Sequence, residues 1–236
     1  MHGKFKLALI FSLILNLIFL AIFAFAVKRL GGFHYLKYRM WGNTISAQYD
    51  HKKSLFATLV NKKGGIVFLG DSITEAAEWA ELLNKSNVRN RGIPGDVTSA
   101  LLKRLDQVLQ LSPDKIFLMI GINDLLFIPP NEVAANYRKI VEKIKKNLPM
   151  CTLYLESVLP INQQIRNIPI QKKDILALNQ NIIQIAADFD LQYINLHPLL
   201  CNEAGDLDAK YSLDGIHING EAYQIWAKAI QPYVKE

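Results

Sequence analysis

The sequence predicts an α/β domain built as three layers, with helices on both faces of a mostly parallel sheet of about five strands. From residue 64 onward, short apolar runs that suit buried strands alternate with longer stretches that suit helices. Parallel strands need such crossover helices, so this alternation is typical of strand–helix–strand units. The 236 residues are enough for one such domain, preceded by an N-terminal transmembrane helix.

The elements follow one another in a regular order. The predicted strands cover residues 66–69, 87–90, 115–120, 152–158 and 191–196. The predicted helices cover residues 76–83, 98–111, 132–147, 172–189 and 220–234. Within 98–111 the apolar residues recur at helical spacing, and Pro113 and Pro149 follow two of the helices, where a proline ends helical structure.

The first 30 residues are predicted to be a membrane anchor. The run that begins at Leu7 and ends at Val27 has only Ser12 and Asn16 as polar residues. At 1.5 Å per residue it spans about 30 Å, the hydrocarbon thickness of a bilayer. It is longer than the apolar region of about 7–15 residues of a signal peptide, which favours an uncleaved anchor. A cleaved signal peptide, with a small-residue pattern at 24–26, is the alternative.

Three segments and their location follow. Residues 1–30 are the anchor or signal peptide, 31–63 a linker with a juxtamembrane helix, and 64–236 the folded domain. Basic residues flank the apolar run on both sides, so orientation is weakly determined. We expect the domain to lie outside the cytoplasm, and to be secreted if the segment is cleaved.

Charge and cysteine content exclude several classes of protein. The net charge is +6, but residues 1–30 hold four basic residues and no acidic one, which leaves +2 for the remainder. A nearly neutral domain gives no electrostatic reason to expect a nucleic-acid partner. Two cysteines exclude a disulfide framework. Cys151 and Cys201 are expected to be buried thiols, and a disulfide between them stays open if the domain is exported.

Four polar segments in the domain are candidates for chemistry. They are Gly70-Asp71-Ser72-Ile73, Gly95-Asp96, Gly121-Ile122-Asn123-Asp124 and Asp214-Gly215-Ile216-His217. The first three follow predicted strands, and the carboxyl ends of parallel strands meet at the edge of the sheet where sites form. Taken singly, each has an ordinary interpretation as a turn or a helix cap.

Together, in this order, the four segments resemble the blocks of the GDSL esterase/lipase family, also called SGNH hydrolases. The resemblance covers residues 64–234 and implies the flavodoxin-like fold of that family. It implies Ser72 as nucleophile, His217 as general base and Asp214 as the carboxylate that orients the imidazole. The implied oxyanion hole consists of the Ser72 and Gly95 backbone N–H groups and the Asn123 side chain. No metal or organic cofactor is implied.

The expected function is a membrane-tethered serine esterase that cleaves carboxylic esters through an acyl-enzyme, with acetyl or other short acyl esters favoured. The expected partners are a small-molecule ester, or an acylated lipid or glycan, and the membrane. A lysophospholipase, a thioesterase or an acyl transferase would use the same residues. A non-catalytic, membrane-anchored binding domain is the alternative of another class. All residues of the expected site are nevertheless present. The sequence leaves the oligomeric state open.

Overall fold

The structure is a computed structural model that describes residues 2–29, 42–59 and 63–235. The chain divides into two compact units, Met1–Thr44 and Ile45–Glu236. In the first unit, helix α1 covers His2–Arg29. Its segment Leu9–Lys28, with a mean hydropathy of 2.8, is long and apolar enough to cross a membrane. The predicted N-terminal apolar helix is therefore present, and by length and composition it suits either an anchor or a signal sequence.

The second unit contains a five-stranded parallel sheet, which confirms the predicted fold class. The strands are β1 Ile66–Gly70, β2 Val88–Gly92, β3 Lys115–Met119, β4 Thr152–Glu156 and β5 Gln192–Ile194. Their order across the sheet is β2-β1-β3-β4-β5, and every neighbouring pair is parallel. The chain moves outward from β1 to β2 and then crosses back to β3. This reversal leaves a crevice at the carboxyl ends of β1 and β3, where α/β proteins hold their sites.

Helices flank this sheet. They are α2 Gly42–Thr58, α3 Ser72–Glu75, α4 Trp79–Leu82, α5 Thr98–Arg104, α6 Asp106–Leu109, α7 Pro130–Asn147, α8 Lys172–Asp188 and α9 Gly220–Lys235. Short 3₁₀ turns cover Asp124–Leu126, His197–Leu200 and Ala209–Tyr211. These eight helices are those found in the described parts of the chain after α1.

The two faces of the sheet pack against different helices. Phe68 and Phe117 are in register on neighbouring strands, and their rings stack with centroids 4.9 Å apart. Phe68 also stacks on Trp79 of α4, whose ring meets Trp226 of α9 edge-on at 4.8 Å. On the opposite face, the hydroxyl of Tyr137 in α7 donates to a backbone carbonyl of β3. The alternation of side chains along each strand therefore gives the three-layer arrangement.

The helix predicted over 76–83 forms earlier and as two short pieces. Asp71 caps α3 by accepting a hydrogen bond from the Ile73 backbone N–H at 3.0 Å, so the helix begins at Ser72. The Asn90 side chain then donates to the carbonyls of Thr74, Glu75 and Ala77. Those carbonyls are thereby satisfied without a further helical turn, which ends α3. Similarly, the helix predicted over 98–111 is divided between α5 and α6.

The part of α2 that belongs to the second unit packs on the domain. Phe56 is buried, with the Arg91 guanidinium 4.7 Å from the centroid of its ring. Lys52 pairs with Glu75 of α3 at 2.6 Å. The predicted linker, residues 31–63, lies partly outside the described residues, which omit 30–41 and 60–62. The division of the chain at residues 30 and 63 stays a prediction.

Cys151 and Cys201 are both free thiols in the structure. Cys151 is buried, and burial raises the pKa of its thiol to about 12. The Cys201 sulfur lies 3.5 Å from Nδ1 of the buried His197. Cys151 is thus the buried thiol that was expected, whereas Cys201 is only half-buried, beside the imidazole of His197.

Candidate active site

Ser72 stands at the turn between β1 and α3, at the carboxyl edge of the sheet. A Cβ atom on Gly70 would lie 2.2 Å from the Met119 carbonyl oxygen and 2.2 Å from the Thr74 hydroxyl, so only glycine fits at the end of this strand. Asp71 is buried and caps the helix, as described above. The close approach at Gly70 and the cap at Asp71 together fix where the Ser72 hydroxyl emerges.

The hydroxyl of Ser72 lies within hydrogen-bond distance of the His217 imidazole, and that imidazole lies within hydrogen-bond distance of the Asp214 carboxylate. Ser72 Oγ lies 2.9 Å from His217 Nε2, and His217 Nδ1 lies 2.7 Å from Asp214 Oδ2. The His217 and Asp214 side chains are 47% and 36% exposed, so solvent and small molecules reach them. A hydroxyl, an imidazole and a carboxylate in this sequence form the arrangement that activates a serine for nucleophilic attack.

A tight turn holds Asp214 and His217 in this geometry. Asp214 Oδ1 accepts hydrogen bonds from the backbone N–H groups of Ile216 at 3.1 Å and His217 at 2.8 Å. Ser212 Oγ donates to the His217 carbonyl at 2.6 Å and accepts from the Gly215 N–H at 2.9 Å. Gly215 has a φ of +80°, a conformation that favours glycine. The carboxylate therefore orients the ring with one oxygen and closes the turn with the other.

The environment of Asp214 favours its ionised form. Partial burial works to raise the pKa of this carboxyl, but the hydrogen bonds from the His217 ring and from the two backbone N–H groups outweigh it, so the pKa lies below its usual value. Arg166 adds a weaker contact, with Nη1 3.8 Å from Asp214 Oδ2. Asp214 is thus an anion at neutral pH and can stabilise a positive charge on His217.

The second and third polar segments meet each other beside the first. Gly95 has a φ of +75°, and the following residue, Asp96, accepts a hydrogen bond on its backbone carbonyl from Asn123 Nδ2 at 3.0 Å. The Ile93 N–H, two residues before Gly95, donates to the Gly70 carbonyl at 3.1 Å. The structure thus brings the Gly95 loop against both the Asn123 loop and the strand that precedes Ser72.

Buried polar side chains join these loops from beneath, a feature that the sequence did not predict. Arg104 Nε donates to Asp96 Oδ2 at 2.7 Å, and Arg104 Nη2 donates to the Gly70 carbonyl at 3.2 Å. The Asp124 carboxylate accepts hydrogen bonds from the backbone N–H and the hydroxyl of Thr98. The Thr98 N–H therefore binds a carboxylate that lies 26 residues away in the sequence.

Burial changes the titration of these acids. It raises the pKa of Asp96 to about 6, against the opposing effect of the Arg104 guanidinium. It raises the pKa of Asp71 to about 7, although the Ile73 N–H opposes the shift. The pKa of Asp124 is raised as well, for the same reason. Burial therefore shifts the pKa of all three carboxyl groups upward from the usual value for aspartate.

Within the described residues, no group of three or more histidine, cysteine, aspartate or glutamate side chains is placed to hold a metal ion.

In the apolar stretch after Asn123, some side chains are buried in the core and others are exposed to solvent. Leu125 is buried, whereas Phe127 is 63% exposed. That stretch packs partly as core and partly as surface beside the site.

The fold and site together define a class: a parallel α/β protein with a serine–histidine–aspartate arrangement at the carboxyl edge of its sheet. Comparison with known proteins identifies the family. The model of the GDSL-like lipase/acylhydrolase family matches residues 68–225. The chain belongs to this family, as the four segments indicated.

Two relatives match this chain at low sequence identity. The chain is 24% identical to an N-acylneuraminate cytidylyltransferase of Streptococcus agalactiae over 186 residues, which are 78% of this chain and 42% of that protein. The chain therefore spans about two fifths of the length of that relative. It is 23% identical over 178 residues to the rat platelet-activating factor acetylhydrolase IB subunit alpha2, covering 73% of this chain and 75% of the rat protein.

Solved structures match more completely. A Streptococcus pneumonia protein whose name refers to platelet activating factor superposes with a TM-score of 0.77 and 28% identity, covering 84% of this chain and 98% of the other. A GDSL-like lipase from Bacteroides thetaiotaomicron has a TM-score of 0.69 and 25% identity, covering 80% and 98%. The chain thus shares its fold with nearly the whole of both solved chains.

Proposed function

We propose that the protein is a carboxylic ester hydrolase in which Ser72 is the nucleophile. The observation that carries the proposal is the continuous contact from Ser72 Oγ through His217 to Asp214, at 2.9 Å and 2.7 Å. His217 takes the hydroxyl proton as Ser72 attacks the ester carbonyl, and Asp214 stabilises the imidazolium without accepting the proton. The protonated His217 then gives that proton to the departing alcohol, which leaves an acyl-enzyme.

The negative charge that develops on the carbonyl oxygen needs donors. We assign the oxyanion hole to the Ser72 and Gly95 backbone N–H groups and the Asn123 amide. Asn123 has two amide protons, and one of them is used in the bond to the Asp96 carbonyl, which leaves the other for the substrate. Water then attacks the acyl-enzyme with His217 as base, and Ser72 is released. The residues named here complete the cycle without metal or cofactor chemistry.

Acetyl and other short acyl esters are the favoured substrates. The support is the relationship to the rat platelet-activating factor acetylhydrolase subunit, whose name specifies an acetyl group. The exposure of the His217 side chain, 47%, favours hydrolysis because water reaches the base that must activate it. A transferase would place an alcohol at the same position, and a long-chain lipase or thioesterase would add an apolar acyl site.

We further propose that residues 1–30 anchor the enzyme in a membrane. The support is the length and composition of Leu9–Lys28. The rest of the chain is proposed to consist of a linker over 31–63 and a hydrolase domain over 64–236. All residues of the proposed site belong to the hydrolase domain. With an uncleaved anchor the enzyme acts at a membrane surface outside the cytoplasm, and with cleavage it is secreted.

The test is acetate release from a water-soluble acetyl ester by the full chain and by Ser72→Ala. We expect the substitution to reduce turnover by at least about 10³-fold, since removal of a triad nucleophile costs that much or more. Ser99→Ala is the matched control, because Ser99 is exposed on α5 and takes no part in the proposed contacts. Equal turnover by Ser72→Ala and wild type would exclude this mechanism, and inactive wild type would favour a binding domain.

A further inference from the structure

Three large apolar side chains stand out as more than half exposed among the described side chains of the second unit. They are Leu213, Met150 and Phe127, at 95%, 92% and 63% exposure. Apolar surface left in water is unfavourable, and its concentration near a site marks a surface that contacts something apolar. Met150 lies just before β4, at the amino ends of the strands, whereas Leu213 directly precedes Asp214 and Phe127 lies four residues after Asn123.

Leu213 lies inside the turn that carries the proposed base. The residue before it, Ser212, donates to the His217 carbonyl at 2.6 Å, and the residue after it, Asp214, meets the His217 ring at 2.7 Å. The backbone on both sides is therefore held by hydrogen bonds to His217. The leucine side chain between them is kept in solvent by the same bonds that orient the imidazole.

Phe127 belongs to the loop that carries Asn123. Its backbone N–H donates to the Asp124 carbonyl at 2.8 Å, and the Asp124 side chain is bonded to Thr98. Leu125 packs into the core two residues earlier, so the loop is fixed while the phenylalanine ring stays outside. Both loops that supply side chains around Ser72 thus present one exposed apolar residue. We call Phe127 and Leu213 the apolar rim.

We propose that the apolar rim contacts the surface of a lipid bilayer and that the site takes its ester from lipids in that bilayer. The inference rests on the proposed hydrolase function and adds the source of the substrate. The chain itself gives the reason to expect a bilayer at this surface, because its segment Leu9–Lys28 is apolar and long enough to cross one.

The rim explains why apolar side chains are exposed at this edge. Leucine and phenylalanine that enter the boundary between headgroups and acyl chains remove apolar area from water, which stabilises the membrane-bound position. Substrate in the same bilayer is also held at a high effective concentration by the tether. An ester group near the headgroups would then lie close to the two loops that carry the site and the rim residues.

The test compares one acyl group in two locations. The full chain is reconstituted into phosphatidylcholine vesicles, and acetate release is measured from 1,2-dihexadecyl-3-acetylglycerol in the bilayer and from triacetin in water. The readout is the ratio of the two rates, which cancels differences in enzyme amount and in the chemistry of Ser72. The variants are Leu213→Ser and Phe127→Ser. Met150→Ser is the matched control, since it removes a similarly exposed apolar side chain from the opposite edge.

We expect the ratio to fall about five-fold for each rim variant, the effect of losing part of one apolar side chain from the bilayer. Met150→Ser should keep the wild-type ratio. An unchanged ratio in both rim variants overturns the inference, as does a proportional fall of both rates, which would assign the residues to the catalytic turn. A fall in the control overturns it too. Failure of the proposed function is seen separately, as wild-type enzyme that releases no acetate from triacetin.

Discussion

Replacement of Asn123 by alanine removes the side-chain donor that we assign to the oxyanion hole. Because the interaction is with charge that develops in the transition state, the loss should appear in kcat rather than in KM. Removing one such donor costs about 2.7–4 kcal/mol, or about 10²–10³-fold in kcat. The assay is steady-state acetate release from triacetin at several concentrations, so that kcat and KM are obtained separately.

The same substitution also removes the hydrogen bond from Asn123 Nδ2 to the Asp96 carbonyl. That loss is worth about 0.5–1.5 kcal/mol of stability, which urea unfolding measures. Asn147→Ala is the control, because its amide also donates to a backbone carbonyl, at 2.8 Å, on the exposed end of α7. The control should keep kcat. A kcat for Asn123→Ala within three-fold of wild type, or a loss confined to KM, would refute the assignment of this donor.

Three further predictions follow from single contacts. Gly215→Ala should cost about 1–3 kcal/mol of stability and lower kcat, because φ is +80° and its Cβ would lie 2.4 Å from the Asn162 carbonyl oxygen. Gly220→Ala, which meets nothing within 4 Å, is its control, and equal effects of the two would contradict the reasoning. Asp214→Asn should lower kcat by about 10⁴-fold with little change in Tm, and a small effect would show that the carboxylate does not stabilise the imidazolium. Burial raises the pKa of Glu156 to about 8 from 4.5, so wild type should lose more stability than Glu156→Gln as pH rises from 4.5 to 8, since the variant keeps Asp71 and Asp96 but lacks the contribution of Glu156. Thermal unfolding of both proteins across that range measures the difference, and parallel curves would contradict the shift.

The fold was predictable because its signals are local. Residues 116–120 are all apolar, and β3 covers residues 115–119; the glycine that ends β1 and the serine two residues later stand where a strand gives way to a helix. The positions of Ser72 and Asn123 follow from the strand ends alone. The Asp–x–x–His spacing suffices to bring Asp214 and His217 into one turn.

The supporting polar network was not predictable from one sequence. Thr98 and Asp124 are 26 residues apart, and Arg104 reaches the Gly70 carbonyl across 34 residues. Such contacts depend on which loops the folded sheet brings together, because buried polar groups form hydrogen bonds with the donors and acceptors that the fold places next to them. The early end of α3 has the same origin, since Asn90 reaches it from the neighbouring strand.

The central claim is that Ser72 is activated by His217. Treatment of the folded full chain with a fluorophosphonate, followed by intact mass and peptide mapping, tests it most directly. The account predicts one adduct per chain, on Ser72, which forms far more slowly in His217→Ala. Labelling at another serine, or an unlabelled Ser72 in folded wild-type protein, would contradict it.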